Sequence, residues 1–278
     1  MPTLTNILSR SSMLAPSDRE WLHQLVGDWQ IIADVAFADL ILIAQRNDGG
    51  FTNAAHCRPA TAATLFDDDV VGRPAVASIV EAATLVMKDG LQREVDFEGR
   101  FSTLRPVRHL GRIIAVLSVV TAYEPDVVPS QVHENYEQVA GTLLHMVTTG
   151  EFPFENIPTG VRHGTPRLTD GFVQIDEDGV VVYASPNAVS NFHRLGIQGS
   201  LRGQILAELV TEAIEDHSRV EESLAVVVMG RAPWLTELET HGVILSMRAV
   251  PLRDHGERLG AIILCRDITE LRRREQEL

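Results

Sequence analysis

The segment from Gly171 to Leu278 carries the sequence pattern that most restricts the fold of this chain. Two short apolar runs, 172–175 and 180–184, flank an acidic turn ending in glycine (DEDG, 176–179), which predicts a β-hairpin. Helices are predicted at 187–195, 205–210 and 212–229, and further strands at 234–240, 243–252 and 259–266. A small antiparallel sheet with one apolar face needs helices to cover that face, so the pattern predicts an α+β domain.

The last predicted strand runs through Asp267, Ile268 and Thr269 directly into a charged helix. Leu271 and Leu278 are seven residues apart in that helix, as in a coiled-coil seam. The hairpin, the SPNA helix start, the three long strands and the DITE segment together resemble the PAS family, which implies a sensor module. Asp267 and Thr269 are expected to lock the strand to the helix by side-chain hydrogen bonds. With Ile268 and Leu271 they are the predicted signal-transmission residues.

The first half of the chain predicts a second α+β domain. The predicted helices are 16–39, with Ser17 and Glu20 as a capping box, 74–85 and 131–148, and the predicted strands are 40–44, 51–58, 92–97, 101–109 and 112–121. Pro106 predicts an edge or bulged strand, whereas the β-branched run that follows predicts a central one. The segment PVRHLGRIIAVLSVV (106–120) is similar to the last two strands of GAF domains. The motif of nucleotide-binding phosphodiesterase GAF domains is missing, so cyclic nucleotide binding is not carried over.

The two resemblances predict tandem domains, GAF-like and then PAS-like, each an antiparallel sheet flanked by helices. The predicted boundaries are a loose N-terminal arm at 1–16, the GAF-like domain at 17–149, a linker at 150–167, the PAS-like domain at 168–268 and the start of a signal helix at 269–278. The linker prediction rests on the proline and glycine residues of that segment. Its apolar residues Phe152, Phe154 and Ile157 are expected to dock on a neighbouring domain.

Composition narrows the class of partner. The chain has 24 Lys and Arg residues against 38 Asp and Glu residues, a net charge of −14, which argues against direct binding of nucleic acid. No apolar run approaches the ~20 residues of a membrane span, and the N-terminus has no signal-peptide pattern. A cytoplasmic protein that does not contact a membrane is therefore expected.

Candidate binding residues are few, and each also has a purely structural interpretation. Arg93, Arg105 and His109, with neighbouring arginines at 100 and 108, could clamp an anionic ligand beside a GAF cavity, although exposed strands often carry such charges. His56 and Cys57 could bind a metal, but adjacent strand residues point to opposite faces, which favours simple packing.

Other polar motifs also favour structural roles. The acidic run 67–69 favours a solvated loop tip over a cation site. The fragment at 217–220 (HSRV) lacks the context of a phosphoacceptor histidine, so no catalytic residue is predicted in this chain, and no cofactor is evident.

The order of the two domains and the helical ending resemble the sensory half of actinobacterial two-component histidine kinases of the PdtaS type. That resemblance implies a cytosolic homodimer that continues into a kinase core using ATP and Mg²⁺. The core would phosphorylate its own histidine and pass the phosphoryl group to a response regulator of the RNA-binding antiterminator type. The present chain would sense and transmit without catalysing. Two alternatives stay open: a sensor for a cyclic-di-nucleotide cyclase or phosphodiesterase, and a stand-alone module that binds a ligand.

Overall fold

The computed structural model describes residues 3–122, 131–155, 164–216 and 222–278, except for the side chains of residues 131 and 132. The chain divides into two compact units, Met1–Pro153 and Phe154–Leu278. Each unit contains a five-stranded antiparallel sheet with helices, so the predicted α+β class is confirmed. Among the described helices, none is long and apolar enough to cross a lipid bilayer.

The first unit is built around its last strand. Its elements are α1 (Leu4–Leu8), α2 (Pro16–Asp28), α3 (Gln30–Ala36), β1 (Asp39–Gln45), β2 (Phe51–Cys57), α4 (Ala77–Asp89), β3 (Arg93–Phe97), β4 (Arg100–His109), β5 (Arg112–Ala122) and α5 (Gln131–Thr149). The strand order is β2-β1-β5-β4-β3, so β5 is central, as its β-branched sequence predicts. One face of the sheet packs its apolar side chains against α4 in a core that includes Ile41, Val116 and Ile79.

Pro106 lies in an interior strand, which corrects half of the prediction made from it. β4 pairs with both β3 and β5, but its pairing with β3 stops at Leu104. Pro106 therefore has no partner on that side, where its missing N–H would otherwise break the ladder. The register against β5 shifts between Val107 and Arg108, so the predicted bulge is confirmed.

The N-terminal segment differs from the sequence prediction in three ways. Residues expected in a loose arm form α1, whose Ile7 and Leu8 are buried. The single predicted helix is two helices, α2 and α3, which meet at Trp29. The predicted capping box is also wrong, because the carboxylate of Asp18 accepts the backbone N–H of Ala15 at 2.9 Å. Asp18 also contacts His109 of β4 and Arg112 of β5, and local sequence does not reveal these two contacts.

The second unit has the strand order β7-β6-β10-β9-β8. After a single 3-10 turn (Leu168–Asp170), its elements are β6 (Phe172–Ile175), β7 (Val181–Ala184), α6 (Pro186–Arg194), α7 (Leu206–Ala213), α8 (Glu222–Val228), β8 (Leu235–Thr240), β9 (Val243–Asp254), β10 (Glu257–Asp267) and α9 (Thr269–Gln276). Ser185 caps α6 by accepting the N–H of Ala188, as the SPNA segment predicts. The helices α6, α7 and α8 cover one face of the sheet with Phe192, Leu206 and Val227.

The helix predicted at 212–229 is not continuous. α7 ends at Ala213, whose carbonyl accepts the hydroxyl of Thr240 from β8, and Ile214 is extended. α8 is described from Glu222 to Val228, and the fragment at 217–220 lies outside the described residues. The described parts of the expected linker contain no helix or strand before the 3-10 turn. Its Phe152 and Phe154 are buried, while Ile157 lies outside the described residues.

Candidate functional site

The first unit contains a cavity of about 300 Å³ between its sheet and the segment that leads into α4. Ile41 and Ile43 of β1 and Ser118 of β5 supply part of the sheet side of this cavity. Phe66 and Ile79 line it from the loop and from α4. A volume at the lower end of the range of small-molecule sites, with mostly apolar walls, suits a ligand of modest size.

The loop 58–76 is held against the edge of the sheet by backbone pairing with β2. The N–H of Asn53 donates to the carbonyl of Arg73 at 3.0 Å, and the N–H of Gly72 donates to the carbonyl of Asn53 at 2.7 Å. The side-chain amide of Asn53 also donates to the carbonyl of Val70 at 3.2 Å. The loop that covers the cavity is thus an ordered extension of the sheet.

A buried carboxylate anchors the first part of the same loop. Asp39, which is 1% exposed, accepts the hydroxyl of Thr64 at 2.6 Å and the N–H of Leu65 at 2.9 Å. Its Oδ1 also lies 2.8 Å from Nε2 of His56. The ring of His56 meets the ring of Phe66 edge-on, with 5.1 Å between centroids. His56 therefore joins β1 to the cavity wall.

Charged groups surround the opening of the cavity. Arg100 is fixed in place because Nε donates to the carbonyl of Leu65 at 2.9 Å, Nη1 contacts Glu98 at 2.9 Å, and the guanidinium lies 4.5 Å from the centre of the Phe66 ring. Arg73, Asp67 and Asp68 also line the cavity. Within the described part of the chain, the side chains of these three make no hydrogen bond or ion pair.

Two buried serines supply polar groups to the sheet. The hydroxyls of Ser102 and Ser118 are 2.7 Å apart, and the two residues are 0% and 2% exposed. A pair of hydroxyls carries two protons, of which their mutual bond uses one. Since Ser118 lines the cavity, the pair can offer a hydrogen bond to a bound molecule.

The predicted cluster of Arg93, Arg105 and His109 is not formed. Arg93 pairs with Leu104 across the strands, so it shares a sheet face with Leu104, and Arg105 as the next residue points to the opposite face. Arg93 contacts Asp89, four residues earlier. Arg105 is partly buried, which lowers the pKa of its guanidinium, and its Nε has no hydrogen-bond partner in the described residues. None of the three lines the cavity, whereas Arg100 of the wider group does.

His109 is part of a buried ionic cluster that attaches α2 to the sheet. Its Nδ1 lies 2.8 Å from Asp18, and its ring stacks on Trp21 with 4.7 Å between centroids. Arg112 donates to the other oxygen of Asp18 at 2.5 Å. Burial acts to raise the pKa of Asp18, but the hydrogen bonds from His109, Ala15 and Arg112 outweigh it, and the pKa lies below its usual value.

His56 and Cys57 are not brought together as a ligand pair. His56 is opposite Ile41 and Cys57 is opposite Leu40, so their side chains leave β2 on different faces. The thiol of Cys57 lies 3.3 Å from the amide oxygen of Gln30. Burial, with the nearby Asp34 and Asp39, raises the pKa of this thiol to about 12, so the thiolate that binds metals is disfavoured at neutral pH.

The remaining candidates lie at the junction of β10 and α9. Asp267 Oδ1 accepts the N–H of Thr269 at 3.0 Å and its hydroxyl at 2.6 Å, which confirms the predicted lock. Thr269 Oγ1 accepts the N–H of Ile244, and the N–H of Ile268 donates to the Ile244 carbonyl, both at 2.9 Å. Asp267 Oδ2 accepts Arg194 at 2.8 Å. Burial acts to raise the pKa of Asp267, but these hydrogen bonds lower it overall.

α9 lies beside a groove of about 450 Å³. The helix has no buried residue, although Leu271 is half-buried and lies beside Gly164. Arg272 reaches across to Glu237 of β8 and also contacts Glu275 at 2.6 Å. The groove is lined by carboxylates, including Glu215 and Glu237, so this region is polar where the first cavity is apolar.

Sequence reasoning missed Asn53, Arg73 and Ser118 as cavity residues. Ser118 carries a usable signal, because it is a polar residue inside the apolar run of β5. Asn53 and Arg73 carry none, since their position depends on how the loop returns to β2.

Comparison with known proteins matches two successive parts of the chain to known domain families. The GAF domain of histidine kinase PdtaS matches residues 4–140, and the PAS fold matches residues 166–273. The sensor histidine kinase PdtaS of Mycolicibacterium smegmatis is 35% identical over all of this chain, and that of Mycobacterium tuberculosis is 32% identical. The chain spans 58% of the length of each of these relatives. A solved structure, the sensor region of a sensor histidine kinase, is 31% identical with a TM-score of 0.81, covering 98% of this chain and 100% of that one.

Proposed function

Because the chain belongs to the sensor regions of PdtaS-type sensor histidine kinases, we propose that it is the sensory portion of a cytosolic two-component kinase. The observation that carries the proposal is the likeness of the whole chain, in both units, to a solved sensor region. The charge of −14 fits a protein that works without direct contact with nucleic acid.

The catalytic steps belong to a kinase core joined to α9. That core binds ATP and Mg²⁺, phosphorylates its own histidine and passes the phosphoryl group to a response regulator of the RNA-binding antiterminator type. The parent protein works as a homodimer. The present chain contributes regulation and no reacting group.

Detection begins at the cavity of the first unit. A ligand between the sheet and the loop 58–76 would contact Phe66, whose ring is tied through His56 to Asp39 and so to the start of β1. Such a ligand shifts the equilibrium between states of the protein only if it binds them with different affinity. The loop supplies that difference, because its hydrogen bonds to Asn53 and Asp39 can be strengthened or broken as the ligand enters.

The signal leaves the second unit through the junction of β10 and α9. Asp267, Ile268 and Thr269 tie the first turn of α9 to Arg194 of α6 and to Ile244 of β9. Because α9 buries no residue, its direction depends on these few contacts, on Leu271 and on the contact of Arg272 with Glu237. A change in the sheet or in α6 is therefore passed to the pose of α9, which biases the kinase core between two states.

The test compares three proteins: the parent kinase, the parent kinase without residues 1–268, and the present chain alone. Each is incubated with labelled ATP and Mg²⁺ and then with the response regulator. We expect labelling and transfer in the first two, at different basal rates, and no labelling of the present chain. Labelling of the present chain, or equal basal rates in the first two proteins, would contradict the proposal.

A point variant tests the exit route within the intact kinase. Asp267→Asn removes the charge that accepts from Arg194 and Thr269, and we expect it to change the basal autophosphorylation rate. Glu257→Gln is the matched control, because Glu257 is an exposed acidic residue at the opposite end of the same strand. If the two substitutions change the basal autophosphorylation rate equally, Asp267 has no specific role in passing the signal to α9.

A further inference from the structure

The cavity of the first unit has the chemistry of a site for a small zwitterion. Resting on the proposed sensory function, we infer that it takes a compact molecule with an apolar body, one carboxylate and one ammonium group, as in an apolar α-amino acid. Three features carry this inference: two arginines among the lining residues, two carboxylates in the same lining without partners in the described residues, and apolar side chains with one hydroxyl inside.

The cations suit a single carboxylate. Arg100 is pre-organised by its contacts with Leu65, Glu98 and the Phe66 ring, so little freedom is lost when it binds an anion. Its Nη2 makes no hydrogen bond within the described residues. Arg73 lines the same cavity on the loop and has no side-chain partner in that part of the chain. Guanidinium groups bind carboxylates by short, charge-assisted hydrogen bonds.

The carboxylates suit an ammonium group. Asp67 and Asp68 follow Phe66 directly and line the cavity, and neither carboxylate has a hydrogen-bond or ion-pair partner within the described residues. Asp69, the third acidic residue of this run, accepts the N–H of Val71 at 2.9 Å and does not line the cavity. Two of the three acidic residues therefore remain available to a ligand.

The balance of charge disfavours ligands with several phosphates. The lining has two arginines against three acidic residues, Asp67, Asp68 and Glu98, of which Glu98 is paired with Arg100. A polyanion would meet uncompensated carboxylates, which is how a site rejects a wrong ligand. A neutral zwitterion presents one charge to each set.

The inside of the cavity suits an apolar side chain. Ile41, Ile43 and Ile79 are nearly fully buried and line it, and Phe97 lines it from β3. Burial of a branched or aromatic side chain there adds affinity in proportion to the apolar area removed from water. The Ser102–Ser118 pair adds one hydrogen-bonding group and would favour a side chain that also carries a hydroxyl or thioether.

Isothermal titration calorimetry with the 278-residue chain tests the inference. The probes are L-leucine and L-phenylalanine, each compared with its analogue that lacks the amino group and its analogue that lacks the carboxyl group. We expect at least one amino acid to bind and each of its truncated analogues to bind about tenfold more weakly or worse. Equal binding of the analogue without the amino group, or no binding of either amino acid, would overturn the inference.

Variants test which lining residues bind the carboxylate of the ligand and which bind its ammonium group. Arg73→Gln should weaken the amino acid about tenfold and leave the analogue without a carboxyl group unchanged. The double change Asp67→Asn and Asp68→Asn should also weaken the amino acid about tenfold, but it should leave the analogue without an amino group unchanged. Arg93→Gln, an arginine outside the cavity, is the control and should bind the amino acid like the parent chain. Circular dichroism of each variant checks that it is folded.

Binding of guanosine monophosphate in place of the amino acids would also overturn the inference and would identify a nucleotide site. These measurements are separate from the kinase truncation test. If the chain binds no amino acid but regulates its kinase, only the inferred ligand class is contradicted. If the chain binds an amino acid but regulates no kinase, the proposed function is contradicted.

Discussion

The two units cover sheets of the same size in different ways. Both have a five-stranded antiparallel sheet with helices, but in the first unit a cavity remains between the sheet and the segment leading into α4. In the second unit the space under α6, α7 and α8 is occupied by fully buried side chains such as Phe192, Leu206 and Val227. This difference supports the proposal that the first unit holds a ligand, whereas the groove of the second unit is polar and lies beside α9.

The physical origin of the difference is the element that covers the sheet. In the first unit the cover includes the loop 58–76, which hydrogen-bonds to β2 and to Asp39. In the second unit the helices α6, α7 and α8 pack fully buried side chains directly against the sheet, as in a close-packed interior.

The largest expected effect is on the packed unit. Phe192→Ala should destabilise the second unit by about 3 to 5 kcal/mol, because it removes a fully buried ring and leaves a hole. Ile41→Ala in the first unit should cost about 2 kcal/mol, since that side chain already borders open space. Urea unfolding of both variants measures the two costs. Equal costs would show that the two units are packed alike.

The next largest loss of stability is expected from removing the buried carboxylate of Asp18 in the first unit. Asp18→Ala leaves His109, Arg112 and the N–H of Ala15 without their acceptor and should cost about 3 kcal/mol at pH 7. The folded pKa of Asp18 is lowered, so its ionised form stabilises the fold above the unfolded pKa of about 4, and this stability is lost as pH falls through the lower folded value. The difference between wild type and variant in free energy of unfolding should therefore shrink on acidification. A constant difference from pH 7 to pH 2 would assign the effect to packing.

A smaller effect is expected where α9 leaves the second unit. Thr269→Val keeps the shape of the side chain but removes the acceptor for Ile244 and the donor to Asp267, which should cost about 1 kcal/mol. The loss should concentrate in α9, and faster hydrogen exchange of that helix is the measurement. Thr211→Val is the control, because that hydroxyl donates within α7 only. Slow exchange of α9 in the Thr269 variant would show that other contacts hold the helix.

The smallest effect concerns the ion pair between Arg272 and Glu237. Both side chains are more than one third exposed, so the pair should contribute only about 0.5 kcal/mol and less at high salt. A double-mutant cycle with Arg272→Gln and Glu237→Gln, followed by thermal unfolding at low and high salt, gives the coupling. A coupling that exceeds the cost of Thr269→Val would make this pair the main attachment of α9.

Much of the architecture follows from local sequence. The SPNA cap of α6 and the run of β5, which is rich in β-branched residues, each predict an element whose cause lies within a few residues. The lock between Asp267 and Thr269 belongs to the same class, since its donors and acceptor are two residues apart.

The cavity follows from contacts between distant residues. Arg93 and Arg105 are candidates by charge alone, but the register of β3 on β4 places them on opposite faces. His109 forms a hydrogen bond with Asp18, which lies 91 residues earlier in the chain. No local pattern encodes such a pairing.

The amino-acid sequence by itself determined the two tandem α+β domains, the order of their strands along the chain and the strand that continues into α9, because periodicity and capping act over short separations. Only the tertiary structure decided which charges face the cavity. That choice depends on how the loop 58–76 returns to Asn53 and Asp39, and on which arginines are engaged elsewhere by Asp89 or Asp18. Side chains far apart in the chain become neighbours only when the sheet has set its register.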